Sequence, residues 1–224
     1  MKSQIVYIKG HAKSEEQAND ALKSFQRYNW DVELHEGYTP KTIPDIPSIV
    51  ENSRLHNFKE ENYNKYLTKV SCALNHLQFW KKVIEYNQPM AFLEHDAIAV
   101  DSLQNVNFKD YLILNAEYVF RPPNKLGIQK YQSFSFQGFG VNKLDNTYPL
   151  TYYRDNVWKG SFMVPGTGAY VISPSGAKKM LAAVEKYGLD QSDFMLNSFN
   201  LDIEYILPSP VKFNKVNLST SYGI

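Results

Sequence analysis

Val70 to Val100 reads VSCALNHLQFWKKVIEYNQPMAFLEHDAIAV, and this stretch decides the fold. Ala73, Leu77, Trp80 and Ile84 recur on one face of a 3.6-residue helix, while Gln78, Lys82 and Glu85 turn away. Asn87-Gln88-Pro89 ends that helix, because proline cannot continue it and disfavours helical geometry in the residue before it. Met90-Ala91-Phe92-Leu93 is apolar without alternation, the pattern of a strand covered on both faces. Glu94-His95-Asp96 follows where the strand stops, and a second apolar run, Ala97 to Val100, comes after it. Two carboxylates flanking one residue at the end of a buried strand are costly unless something cationic meets them.

Outward toward the N-terminus, Gln4 to Ile8 reads as a strand and Lys9-Gly10-His11 as a turn. A helix is expected over Glu15 to Tyr28 with Ser14 as its N-cap and Glu15 and Glu16 in the first turn. Asp31 to His35 is a second strand, closed by Glu36-Gly37-Tyr38. This β-α-β opening predicts a parallel, Rossmann-like sheet. Residues 39–66 begin with Pro40, Pro44 and Pro47 and become polar, an excursion from the core that could form a lid or one wall of a cleft.

Toward the C-terminus, Tyr111 to Leu114 reads as a buried strand. Residues 115–168 are irregular and hold Arg121-Pro122-Pro123, two aromatic and glycine clusters (Phe134 to Phe139, Tyr148 to Tyr153) and Trp158-Lys159-Gly160. A long loop region rich in aromatics predicts a binding surface. Ala169 to Ile172 is a strand, followed by a helix with Ser173 as N-cap, Pro174 at the first position, Ala177, Leu181 and Val184 inward, and Gly188 as terminator. Asp190 to Asp193 leads into Phe194 to Phe199, Asp202 to Leu207 is a late strand, and the chain closes with VNLSTSYGI. The expectation is one α/β domain over residues 1–224, a mixed Rossmann-type sheet flanked by helices with a long aromatic-rich loop region.

Composition narrows the function classes. In 224 residues, 24 basic side chains face 23 acidic ones, so no global field points to a polyanion. The one cysteine, Cys72, excludes an internal disulfide. MKSQIVYIKG carries no apolar segment of signal-peptide length, and no run approaches the ~20 apolar residues that span a bilayer. A soluble cytoplasmic protein is expected.

Three ordered pieces carry a resemblance: SCALNHLQFWKKVIEYNQPMAFLEHDA, GTGAYVISPSGAKKML and QSDFML. Together they resemble glycosyltransferase family 25, the lipooligosaccharide and lipopolysaccharide biosynthesis transferases, over about residues 4–220. The family's Gly-Cys-x-x-Ser-His, Leu-Glu-Asp-Asp-Ala and Gly-Tyr-x-Ile-Ser patterns and its downstream Asp fall on Ser71-Cys72, Asn75-His76, Leu93 to Ala97, Ala169 to Ser173 and Asp193. Ser71, Asn75 and Ala169 depart from the usual glycine, serine and glycine, and His95 replaces the central acid. The resemblance implies a GT-A-like fold, a nucleotide-sugar donor with a UDP-linked one the first choice, a divalent cation (Mn²⁺ or Mg²⁺), and inversion at the sugar carbon. Residues 4–114 would form the nucleotide-sugar and metal half and 115–224 the acceptor-side half.

The residues support that chemistry on their own terms. Side chains at i and i+2 of an extended segment face the same way, so Glu94 and Asp96 could both approach a metal that neutralises a nucleoside diphosphate. Asp96 is the first choice as direct ligand, with Glu94 acting through water or on the donor ribose. The alternative is a solvated turn or a carboxylate paired with a nearby lysine. Asp193 is the candidate general base, with Asp190 second because it could instead cap the next short helix. His95 completes the donor-binding triplet. Lys159, or Lys9 and Arg121, could meet phosphate or an acidic acceptor, against the alternative of a solvated surface charge. His76 is either a structural histidine beneath the triplet strand or a residue orienting donor or triplet; with Cys72 it could begin a zinc site, but no second pair follows. A saccharide acceptor comes first, a modified base in DNA, as bacteriophages glycosylate, second, and a non-catalytic nucleotide-sugar-binding module third.

Overall fold

The computed structural model of the chain describes residues 1–44, 63–103, 106–116, 138–144 and 167–214. In order, the elements are β1 (Lys2–Tyr7), α1 (Ala12–Arg27), β2 (Asp31–Glu36), α2 (Tyr63–Tyr86), β3 (Met90–Glu94), β4 (Ala97–Ala99) and β5 (Tyr111–Ile113). There follow β6 (Gly140–Lys143), β7 (Ala169–Ile172), α3 (Pro174–Tyr187), α4 (Ser192–Met195), β8 (Ile203–Leu207) and β9 (Val211–Phe213). Seven strands form one sheet in the order β2-β1-β3-β7-β5-β8-β6, and β4 pairs with β9 in a small second sheet. The β1–β2, β1–β3 and β5–β8 pairs are parallel, whereas β7 runs antiparallel to both β3 and β5. The sheet is mixed, as expected.

Why β3 lacks alternation is visible in its two faces. Met90 and Phe92, with Tyr111, Ile113, Tyr170 and Ile172, turn toward α2 and α3. Ala91 and Leu93, with Leu112, Leu114, Ala169 and Val171, turn toward Ala18, Ala21 and Phe25 of α1. Both faces are therefore dry, and each fully buried aliphatic side chain contributes about 1.5–3 kcal/mol. Helices α2 and α3 also pack on each other. This second contact widens the apolar stripe of α2: Val70, Ala73, Leu74, Phe79, Trp80 and Val83 are buried, while Leu77 and Ile84, expected inward, are only partly covered.

Several expected boundaries change. Helix α1 starts at Ala12, earlier than expected, and its N-cap is His11, whose Nδ1 accepts from Ser14 N at 3.2 Å. Ser14 lies inside the first turn because its hydroxyl is used elsewhere, accepting from Ile8 N at 3.0 Å. Helix α2 begins at Tyr63, inside the stretch read as an excursion from the core, and Tyr66 is fully buried. Strand β6 lies within the region expected to be irregular, and β9 was not anticipated at all. In contrast, α3 is capped as read: Ser173 Oγ accepts from Gly176 N at 3.1 Å, Pro174 opens the helix, and Gly188 closes it with φ 82°. Met180 and Ala183 bury more deeply on α3 than Leu181 and Val184.

Candidate active site

Strands β1, β2 and β3 are parallel and end on one edge of the sheet. The chain leaves β1 toward β2 on one side and later returns beside β1 as β3 on the other, so a topological switch point lies between β1 and β3. Open α/β sheets bind ligands at such points, beyond the carboxyl ends of the strands. The segment after β1 is tied to the start of α1: Gly10, with φ 78°, donates its N–H to Glu15 Oε1 at 2.7 Å. Lys9 sits here, exposed and ion-paired with Glu36 at the end of β2, 3.0 Å away.

The triplet occupies the other side of the switch point. Glu94 is the last residue of β3 and donates its N–H to Gly168 O at 2.8 Å. His95 and Asp96 form a turn into β4, with Asn214 N donating to Asp96 O at 2.9 Å. The expected extended geometry, which would have aligned Glu94 and Asp96 by alternation, is therefore replaced by a turn. The two carboxylates still interact. Desolvation by the surrounding protein, then the charges of Asp96 and Asp193, push the Glu94 carboxyl up to about 8. Glu94 is nonetheless exposed, and contact with solvent moderates that desolvation. Burial lifts Asp96 to about 6, opposed by a hydrogen bond from its own backbone. His95 is held below the ordinary histidine range by burial and by neighbouring His11, which keeps it neutral. Among the described residues, Asp96 Oδ1 and His95 Nε2 are buried without hydrogen-bond partners.

Asp193 reaches this edge from α4. Its Oδ1 accepts from Thr167 Oγ1 at 3.0 Å and from Thr167 N at 3.2 Å, and the Thr167 hydroxyl also meets Ser192 Oγ at 3.1 Å. Asp190 is differently placed: it is buried, and its Oδ1 accepts from Gln191 N at 2.7 Å, so it shapes the approach to α4 while Gln191 is the N-cap residue. Gly168 separates the two carboxylate-bearing segments. A Cβ there would lie 2.7 Å from Phe213 Cζ and 2.9 Å from Glu94 Oε2, so only glycine leaves the Glu94 carboxylate its position.

Beneath Glu94 lies a ring stack. His76 stacks on Phe92 at 4.1 Å between centroids, and Phe92 on Tyr170 at 5.4 Å. Tyr170 Oη meets His76 Nδ1 at 2.8 Å and accepts from Trp80 Nε1 at 3.1 Å. Burial drives the His76 imidazole down to about 3, so it is neutral. Of its two readings from sequence, the geometry is that of a histidine built into the core under the triplet strand. Cys72, one turn earlier, is exposed. Lys159 and Arg121 lie outside the described residues, as do the aromatic clusters apart from Gly138 and Phe139, the latter exposed.

Sequence reasoning missed Thr167, Gly168 and Asn115. The Gly-Thr-Gly run before β7 was a usable signal for the first two, since glycine beside a strand end marks close backbone approach. Asn115 was legible only as a polar residue closing an apolar strand. Among the described residues no three His, Cys, Asp or Glu side chains form a preformed metal cage. Glu94 and Asp96 are the residues that could hold a cation, with the remaining ligands coming from elsewhere.

The sequence model of glycosyltransferase family 25 (LPS biosynthesis protein) matches residues 4–196, most of the chain, including Glu94, Asp96 and Asp193. The chain belongs to glycosyltransferase family 25. No curated protein matches it closely enough to add a relative. The mixed seven-stranded sheet is consistent with a Rossmann-like glycosyltransferase fold. Two of the departures from the family pattern make local contacts. Asn75 clasps the backbone of Tyr38 just after β2, accepting from Tyr38 N at 2.7 Å. Ser71 turns its hydroxyl back onto Leu67 O at 2.8 Å within α2. No described helix is long and apolar enough to cross a membrane.

Proposed function

We propose that this family 25 member transfers a sugar from a nucleotide-sugar donor, a UDP-linked one first, to a hydroxyl of a saccharide acceptor, with inversion at the anomeric carbon. The observation that carries the proposal is the meeting of Glu94, Asp96 and Asp193, from separate parts of the chain, at the switch-point edge of the sheet. In this reading residues 4–114 hold the donor and Asp193 serves from the acceptor-side half. The acceptor hydroxyl attacks the anomeric carbon as its bond to the diphosphate oxygen breaks, and Asp193 takes the hydroxyl proton. Thr167, donating twice to Asp193 Oδ1, fixes the direction in which that carboxylate points. His95, neutral and with Nε2 uncommitted, offers a polar contact to the donor, and Lys9 can exchange its exposed pairing with Glu36 for phosphate.

The donor set fits a hard divalent cation. Glu94 and Asp96 supply oxygen ligands, Asp96 Oδ1 is buried without a partner, and the charges of these carboxylates oppose one another. Bound there, Mg²⁺ or Mn²⁺ would supply charge neutralisation for the departing nucleoside diphosphate. The family description supports a saccharide acceptor. A modified base in DNA finds no such support. Cytoplasmic action is part of the same proposal.

The test is a thermal-shift screen of nucleoside diphosphates and nucleotide sugars with and without Mn²⁺, followed by a transfer assay with the best donor. A ligand that binds only the folded state raises the midpoint. Binding that requires the cation, with turnover lost in Asp193→Asn, is the expected result. Binding without any turnover on saccharide acceptors would favour a non-catalytic module, and no binding at all would reject the donor reading.

A further inference from the structure

Asn115 carries an unmet demand that the reaction described above does not use. It is 1 % exposed, and among the described residues neither its Oδ1 nor its Nδ2 has a hydrogen-bond partner. An orphaned buried carboxamide is destabilising, and native folds rarely keep one unless something else satisfies it. Its position in the sheet indicates what that is. Strand β7 pairs with β3 through Leu93 and Ala169, and with β5 through Ile113 and Tyr170. Beyond the strands the same pairing continues: Glu94 N bonds Gly168 O, and Leu114 N bonds Ala169 O. Two residues past Ile113 on β5 and two before Tyr170 on β7, Asn115 therefore falls opposite Gly168, with Glu94 opposite Gly168 on the other side. Directly paired residues share a face. Glu94, the side-chain-free Gly168 and Asn115 thus form one row across the edge of the sheet, and Asp193 and Thr167 border it.

We propose that Asn115 is a specificity-determining residue that binds hydroxyl groups of the transferred sugar. This rests on the donor reading above. A nucleotide sugar laid across the edge with its diphosphate at β3, against Glu94 and Asp96, carries its sugar over Gly168 toward β5. A carboxamide offers one acceptor and two donor hydrogens side by side. Neighbouring sugar hydroxyls, each able to donate and accept, match it. A site built to hydrogen-bond a substrate hydroxyl strongly rejects the analogue lacking it, so the substrate class is a fully hydroxylated hexose or pentose rather than its deoxy counterpart.

The experiment uses the full chain with UDP and a panel of UDP-hexoses, including deoxy analogues, in Mn²⁺, by calorimetry and thermal shift. The quantity read is the affinity gained when the sugar is present over UDP alone. Asn115→Leu and the smaller Asn115→Ser should keep UDP affinity and lose that gain by at least tenfold, and should no longer distinguish hydroxylated from deoxy sugars. Asn115→Leu without ligand should melt at or above the wild-type temperature, because it removes an unsatisfied group. A gain that persists in both variants overturns the assignment. So does a lowered melting temperature with UDP and UDP-sugar affinities falling together, the signature of an amide satisfied internally. Wild-type protein that binds neither UDP nor any UDP-hexose overturns the donor reading itself and this inference with it.

Discussion

Tyr170→Phe removes one oxygen and orphans two buried groups. In the native stack the Tyr170 hydroxyl accepts from Trp80 Nε1 at 3.1 Å and pairs with His76 Nδ1 at 2.8 Å. Indole N–H can only donate, so the phenol oxygen accepts from Trp80 and at the same time shares a hydrogen bond with Nδ1 of the neutral His76 imidazole. Phenylalanine retains the ring contacts with Phe92 and Tyr111 and makes almost no cavity. What it leaves is Trp80 Nε1–H and His76 Nδ1 without that partner in the dry core, each costing about 1–3 kcal/mol, together roughly 2–6 kcal/mol. For a chain of this size each kcal/mol lowers the melting temperature by about 2–4 °C, so a fall on the order of 10 °C is expected in calorimetry at pH 7.5. A change within about 1 °C would refute the shared role of the hydroxyl.

The same stack gives a pH dependence with a defined sign. The His76 pKa is depressed on folding, from an ordinary value near 6.5 to about 3. Its contribution to stability is therefore complete above about pH 6.5 and is lost as the pH falls toward 3, because the unfolded chain binds the proton first. Between pH 7.5 and pH 5 the loss is about 2 kcal/mol at 1.36 kcal/mol per unit. The groups facing His76, namely Phe92, Trp80 and Tyr170, carry no charge in this range, Tyr170 being pushed further up by burial. His76→Leu should flatten the stability profile over that interval by this amount. Denaturant titrations at the two pH values measure it, and an unchanged slope would show that His76 is not the buried neutral group.

The remaining predictions address the edge of the sheet. Asp193→Asn should lower transfer by about 10²–10⁴-fold with donor affinity unchanged; near-normal turnover would move the base elsewhere. Asp96→Asn should melt no lower than wild type without ligand, since burial already opposes its charge, and should lose any Mn²⁺-dependent gain in donor affinity. Full wild-type activity in excess chelator would reject the cation. Gly168→Ala should cost about 1–3 kcal/mol of stability and reduce donor binding, because its Cβ meets Phe213 and the Glu94 carboxylate within 3 Å; unchanged melting and binding would refute the contact.

The parts of this fold legible in the sequence are those where local chemistry and burial agree. The run Met90 to Leu93 lacks alternation because both faces are covered, and Ser173, Pro174 and Gly188 act through nearest neighbours alone. The misread positions are those where a distant residue decides. Ser14 has the chemistry of a cap, but Ile8 N takes its hydroxyl and His11 caps instead. Strand β9 is three residues long and exists because β4 offers it an edge. At the site, Glu94, Asp96 and Asp193 could be singled out by residue type and family pattern. Asn115 could not, and Thr167 only through the glycines that flank it, because ordinary polar residues gain a role from what the sheet register sets beside them.

That division bears on how the site is held. Directly under the triplet, Phe92, Tyr170, His76 and Trp80 form a neutral foundation whose polar atoms meet one another. One layer above, the balance reverses: Glu94 and Asp96 are pushed toward protonation, and Asp96, His95 and Asn115 hold buried atoms that nothing among the described residues satisfies. Each such atom costs about 1–3 kcal/mol, so an edge that keeps several of them can persist only on a rigid, fully satisfied support. A ligand bringing a cation, a diphosphate and hydroxyl groups would meet every one of these demands at once. The folded chain would then be stabilised most by the substrate that satisfies the most of them, and an apo melting temperature raised by apolar substitution at Asn115 would come at the expense of that discrimination.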